Sequence, residues 1–299
     1  MNTQSQMSNA ELSSALKSER SKAKAAEVFC VICGIGMAAL MFMGKFLFGM
    51  LMILPIILFA LLMLKHLTAI KSLISGNIVK GVLEEVFENV TYAPEYCLSD
   101  EIIHSAHMAF PEPYEEVIGN DFIDADYKGL HLKMSDIELR RKVSSYDAEK
   151  DSWDETEQKV FEGPWLVCDF GKELSGEVHL SEITKSTPSV MKKARIRMEN
   201  EIFNEHFIVT ADDPEEAFYI LTPHMMDYIL NVMATHEGVV YMSFLRDGKL
   251  HVAVNSGSDL FELGKNDPDP ENLRQVFLKE VHWYTDIIDE LRLEPNLYK

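Results

Sequence analysis

Apolar residues are distributed along the chain in three regimes. Residues 28 to 64 contain no acidic residue and one basic residue, Lys45, which divides them into two apolar runs, Val28 to Met43 and Phe46 to Leu64. As one straight helix this stretch would extend about 55 Å, against a hydrocarbon core of about 30 Å. It would also bury Lys45 near the bilayer centre at a cost of about 2.5–3.5 kcal/mol. A hairpin turning at Gly44-Lys45 removes both difficulties, because glycine permits the turn and the lysine reaches the headgroups. The pattern therefore predicts two transmembrane helices. Cys30, Gly34 and Ala38 form a small-xxx-small stripe for close helix approach, and Pro55 predicts a mild kink.

In the second regime Leu67, Ile70, Ile74, Val82, Val86 and Val90 recur at mostly three- and four-residue spacings, an amphipathic helix continuing to about Val90. The third mixes periods. Ser99 is placed to cap a helix over Asp100–Met108. Phe122–Tyr127 and Leu130–Leu139 alternate around Lys128-Gly129, and strands are expected again at Val160–Phe170, Glu177–Ile183, Phe207–Thr210, Val239–Leu245 and Lys249–Val254. Arg246-Asp247-Gly248 marks a hairpin. Ser144 to Gln158, polar and charged, predicts a flexible loop. Helices are expected at about Ser189–Glu205, at Pro214–Thr235 with a break at Thr222-Pro223, and at the end of the chain, where Leu273, Val276, Phe277, Val281, Tyr284, Ile287, Ile288 and Leu291 share a face. The elements interleave without βαβ regularity, so the class is α+β. Four regions follow: a cytosolic N-terminal tail at 1–24, the transmembrane hairpin at 25–66, an amphipathic linker helix at 67–98 and a cytosolic α+β domain at 99–299.

Charge sharpens this division. The chain of 299 residues has 28 Lys+Arg and 48 Asp+Glu, a net −20. Residues 1–64 contribute five basic and three acidic residues, so the remainder carries −22. Such acidity argues against nucleic acid as a partner. Lys17, Arg20, Lys22 and Lys24 before the first helix, and Lys65, Lys71 and Lys80 after the second, place both termini in the cytoplasm. The expected partners are the bilayer, through two spans, and a protein partner or a second copy.

Three fragments carry a resemblance. They are Gly119 to Leu139, Val160-Phe-Glu-Gly163, and Met198 to Val209 continuing through Asp213, Glu216-Ala217, Tyr219 to Pro223 and Met226. Together with the hairpin they resemble the bacterial family catalogued as domain of unknown function 3137, over most of residues 25–293. The resemblance implies a bacterial membrane protein with a cytosolic α+β domain and brings no catalytic residues; the expected location is the bacterial cytoplasmic (inner) membrane.

Candidate chemistry is sparse. His104 and His107 could share a metal on one helix face, although surface or partly packed histidines are commoner. Asp121, Asp124 and Asp126 could hold a cation or act as acid and base, against a strand that simply turns polar residues outward. The Asp124 segment is no calcium loop, since Lys128 and Ser135 occupy ligand positions. Cys30-x-x-Cys33 could be a redox or metal pair but in an apolar span reads as two small lipid-compatible residues, and Cys97 and Cys168 read as buried structural thiols. No cofactor, catalytic residue or metal ligand is expected. The positive feature is a basic island, Lys185, Lys192, Lys193, Arg195 and Arg197, which inverts the local field and suits an anionic lipid, a phosphate ligand or an acidic partner. The leading expectation is a non-enzymatic binding or scaffolding module on a membrane anchor. An enzyme acting on a membrane-proximal substrate and an accessory subunit of a membrane complex are the alternatives.

Overall fold

The computed structural model describes residues 7–147, 152–169, 174–193, 195–263 and 269–291. The chain divides into two units, Met1–Val82 with Phe261–Leu278, and Leu83–Leu260 with Lys279–Lys299.

The first unit is built on the hairpin. Helix α1 runs Asn9–Phe42, so from Asn9 onward the stretch expected as a tail is the start of the first apolar helix. Ser8 begins it through a reciprocal capping box with Glu11. The turn falls at Gly44, whose φ of +74° suits glycine. Helices α2 (Phe46–Leu51) and α3 (Ile53–Ile74) return antiparallel to α1. The expected kink is a break at Met52, where Pro55 has no N–H to offer the Leu51 carbonyl one turn earlier. Phe29 stacks on Phe59 at 5.0 Å, the Cys30 thiol approaches the Ile56 carbonyl at 3.6 Å, and Glu19 accepts from His66 at 2.6 Å. Close approach of the two arms occurs at Gly49, where an added Cβ would lie 3.0 Å from Met41. Gly34, in the expected small-residue stripe, faces open space. Both arms are long and apolar enough to cross a membrane.

After α3 the helix widens into a π-turn at Ser75–Val79, resumes as α4 (Lys80–Val86), and gives way to a strand, β1 (Glu88–Ala93), that the helical periodicity had hidden.

The second unit contains one antiparallel sheet. Its strands are β1, β2 (Glu116–Tyr127), β3 (Leu130–Asp147), β4 (Ser152–Asp169), β5 (Val178–Glu182), β6 (Phe207–Ala211), β7 (Val239–Phe244) and β8 (Lys249–Asn255). Their order is β1-β2-β3-β4-β8-β7-β5-β6. One row of aligned, fully buried side chains crosses seven strands: Ile123, Met134, Leu166, Val252, Met242, Leu180 and Val209. Strand alternation places the opposite set, Ile137, Phe161, Trp165, Val167, Tyr241 and Ala253, in a cluster with Leu98 and with Ile103 and Ala106 from the segment of α5 (Asp100–Ser105).

The segment expected as a flexible loop at 144–158 is strand on both sides of the undescribed residues 148–151. Cross-strand pairs hold it: Arg140 to Glu157, Arg141 to Gln158, and the rings of Tyr146 and Trp153 at 5.5 Å. The single helix expected at 189–205 is two short ones, α6 (Ser189–Lys193) and α7 (Glu201–His206). Between them Ile196 bridges to Val209, so the intervening chain is drawn to the edge of β6. Helices α8 (Pro214–Ile220) and α9 (Pro223–Thr235) break at Thr222-Pro223, where Thr222 caps α9. Helix α10 spans Pro270–Glu290. Its C-terminal half packs on α9, with Trp283 5.3 Å from His236 and Glu290 accepting from Asn231 at 2.8 Å.

Candidate functional site: an acidic cleft at a strand bulge

Strand β2 pairs Asn120 with Asp136 and then Ile123 with Met134, so Asp121 and Phe122 stand opposite one residue of β3. This is a β-bulge, and it turns a side chain out of its alternating phase. Asp121 takes φ +53° there. The displaced N–H groups find partners outside the sheet, Asp121 donating to the Pro94 carbonyl at 3.2 Å and Phe122 to the Tyr96 carbonyl at 2.9 Å. Next to the bulge, Gly119 allows β2 close contact, since a Cβ would lie 2.3 Å from the Asp136 carbonyl. Asp121 is thereby turned inward, 2% exposed, and its Oδ1 accepts from the Tyr92 hydroxyl.

Asp136 arrives from the other side. It continues the inward phase of Leu130, Leu132 and Met134 on β3, where the next position would ordinarily be apolar. The third carboxylate, Asp259, comes from the loop after β8. That loop is fixed by Gly257 donating to the Glu162 carbonyl at 2.9 Å and Leu260 donating to Asp136 Oδ2 at 2.6 Å. The Asn120 amide reaches Asp259 at 3.3 Å. Carboxylate oxygens of Asp121, Asp136 and Asp259 all lie within 4.8 Å of one another.

Asp136 and Asp259 border a cleft of about 200 Å³, lined also by Asn120, Glu138, Glu162 and Gly163. Lys159 bridges Glu138 at 3.0 Å and Glu162 at 2.6 Å, and Arg140 also pairs with Glu138, so both carboxylates at the rim have cationic partners. Desolvation, and then the facing Asp259 carboxylate, push the Asp136 carboxyl well above its ordinary range. Burial raises the Tyr284 hydroxyl as well, with Asp136 and Asp121 adding to it.

The residues anticipated from sequence fall elsewhere, apart from Asp121. Asp124 and Asp126 face His131, at 3.6 and 3.0 Å, and Asp126 also accepts from Asn89. His104 and His107 have separate partners: His104 stacks on Tyr114 at 5.2 Å, and His107 meets Glu177 at 2.8 Å. Cys97 is half-buried and its thiol raised, first by burial; Cys168 is fully buried and pushed up to about 12. In the basic island, Arg195 donates to the Asn204 carbonyl at 2.7 Å and Arg197 pairs with Glu201 at 2.8 Å. Lys185, Lys192 and Lys193 are exposed. Asp136 could have been found from sequence as an acid in an apolar alternation. Asp259 carries no local signal, because only the tertiary course of its loop brings it to Asp136.

Residues 159–293 match the family model described as protein of unknown function (DUF3137), so the resemblance read from the sequence is borne out over that stretch. It includes Asp259 and ends short of Asp121 and Asp136 on the N-terminal side. No curated protein and no solved structure matches the chain.

Proposed function

We propose that this chain is a binding or scaffolding module held on a two-helix membrane anchor, in a bacterial inner membrane, with both termini and the acidic unit in the cytoplasm. The observation that supports it is the hairpin surface. Val28, Ile35, Leu54 and Leu61 are each more than half exposed on paired helices, in a stretch whose one charge sits at the turn. An apolar surface of that extent is ordinarily covered by lipid or protein. Alkaline carbonate extraction of membranes containing the full chain tests the anchor: the chain stays with the pellet, and release into the supernatant contradicts the reading.

The basic island contributes a contact with anionic headgroups through Lys185, Lys192 and Lys193, which flank Val190, 76% exposed. Among the described residues these three lysines form no ion pair, whereas Arg195 and Arg197 are engaged within the fold. Each lysine near an anionic surface is worth about 1 kcal/mol. In nanodiscs, a fluorophore on Val190→Cys of the full chain is expected to be quenched by headgroup quenchers with phosphatidylglycerol and not with phosphatidylcholine. The triple variant Lys185→Glu, Lys192→Glu, Lys193→Glu should abolish the difference. Equal quenching in both lipids would contradict the contact.

A second reading, an enzyme acting on a membrane-proximal substrate, draws on Asp136 and Asp259. Two facing carboxyls in a cleft, with burial pushing the Asp136 carboxyl well above its ordinary range, are an arrangement used for acid–base chemistry.

A further inference from the structure

We propose that Asp121, Asp136 and Asp259 form a binding site for one hard divalent cation, of the class Mg²⁺, Mn²⁺ or Ca²⁺. This goes beyond the anchored-module reading and does not depend on it.

The oxygen separations fit such an ion. Carboxylates around Mg²⁺ or Mn²⁺ stand about 2.0–2.2 Å from the metal and those around Ca²⁺ about 2.3–2.6 Å, so ligand oxygens lie within about 5 Å of one another on Ca²⁺ and must draw in to within about 4.4 Å on the smaller ions. The three carboxylates, within 4.8 Å of one another, meet the Ca²⁺ condition as they stand and the tighter one with a shift of a few tenths of an ångström. All three donors are oxygen, with no histidine or thiol among them, which selects hard cations over zinc or copper.

Asp136 points to a ligand independently of the clustering. Its side chain is 5% exposed and borders the cleft, and its Oδ1 receives no hydrogen bond among the described residues. Its other oxygen is used by the Leu260 N–H. An asparagine would accept from Leu260 equally well and would donate its amide to Asp259, removing the repulsion between the two carboxyls. A buried carboxyl aimed at two others holds its proton until a positive charge completes the site, and a divalent cation supplies that charge. The supports are also those of a ligand cage. Tyr92 orients Asp121 and Asn120 holds Asp259, the role that outer-shell hydrogen bonds have at metal centres. The cleft gives an ion and its remaining waters a route in.

The test uses the full chain in detergent, stripped with chelator. Mg²⁺, Mn²⁺ and Ca²⁺ are added separately, and the melting temperature and Mn²⁺ binding by electron paramagnetic resonance are measured. The expected result is a saturable rise of about 3 °C or more with at least one of the three, and one tightly bound Mn²⁺ per chain. Asp259→Asn, at an exposed loop position, should weaken binding at least tenfold. Asp124→Asn, on the solvent side of β2, should leave it unchanged and so separates the site from general attraction to an acidic unit. Asp136→Asn should fold, lose the response and melt higher than the stripped parent. No shift and no bound Mn²⁺, or a response unchanged in Asp259→Asn, would overturn the proposal.

Discussion

Replacing Gly163 by alanine should destabilise the protein by about 3–5 kcal/mol, because a steric overlap and a backbone strain combine there. Gly163 adopts φ +148°, a conformation that residues with a Cβ rarely enter. A Cβ would lie 2.4 Å from the Val254 carbonyl and 2.7 Å from Ser256 Oγ. Neither neighbour can yield cheaply: Val254 is in β8, and Ser256 opens the loop that carries Asp259. Alanine would therefore push the end of β8 away from β4 and displace one carboxylate of the cleft. Gly81 is the matched control. It lies in α4 with nothing within 4 Å of its would-be Cβ, so alanine there should be neutral or stabilising by up to about 1 kcal/mol. Urea unfolding followed by tryptophan fluorescence reads both variants.

Trp165→Ala is expected to cost about 3–5 kcal/mol, and the same site makes the fold sensitive to acid. Trp165 is fully buried, edge-on to Phe161 at 5.6 Å and 6.2 Å from Phe110. Its indole N–H donates to His251 Nδ1 at 3.3 Å. His251 is buried too, so truncating the tryptophan leaves a cavity and an unpartnered acceptor. The hydrogen bond requires a neutral imidazole. Burial, with Lys249 assisting and Asp247 opposing, pulls the histidine down to about 4. Free histidine titrates near 6.5, so the unfolded chain binds the extra proton between these values. The resulting stability is complete above pH 6.5 and is lost as pH falls toward 4, by at most about 3 kcal/mol. His251→Gln, whose carbonyl can still accept from Trp165, should flatten the unfolding free energy over that interval relative to the parent. A parallel loss of stability in both proteins would contradict this assignment.

The legible parts of this molecule were those fixed by local periodicity. The hairpin and its turn at Gly44 followed from two apolar runs around one lysine, and the alternation at Leu130–Met134 and the Arg246-Asp247-Gly248 turn marked strands that exist. Where tertiary pairing outweighed local character, the sequence misled. Residues 144–147 and 152–158 are polar and charged, yet their ladder and cross-strand ion pairs make them strand. Ser189 to Glu205 has helical composition, yet the Ile196–Val209 bridge interrupts it. The cleft was hardest to foresee. Asp121 shares one stretch of β2 with Asp124 and Asp126, only a bulge separates its direction from theirs, and a bulge leaves little trace in one sequence. Asp259 lies 123 residues beyond Asp136 and reaches it through a loop held by backbone hydrogen bonds, which residue type does not encode.

The anchored-module account stands on the direction in which the hairpin crosses the bilayer. Expressed in bacterial cells with Cys30, Cys33, Cys97 and Cys168 replaced, the full chain carries either Lys45→Cys at the hairpin turn or Ser186→Cys in the acidic unit. A membrane-impermeant thiol reagent is applied to intact spheroplasts and again after lysis. The account predicts that position 45 is labelled in intact spheroplasts and position 186 only after lysis. Labelling of position 186 before lysis, or protection of position 45 until lysis, would contradict it.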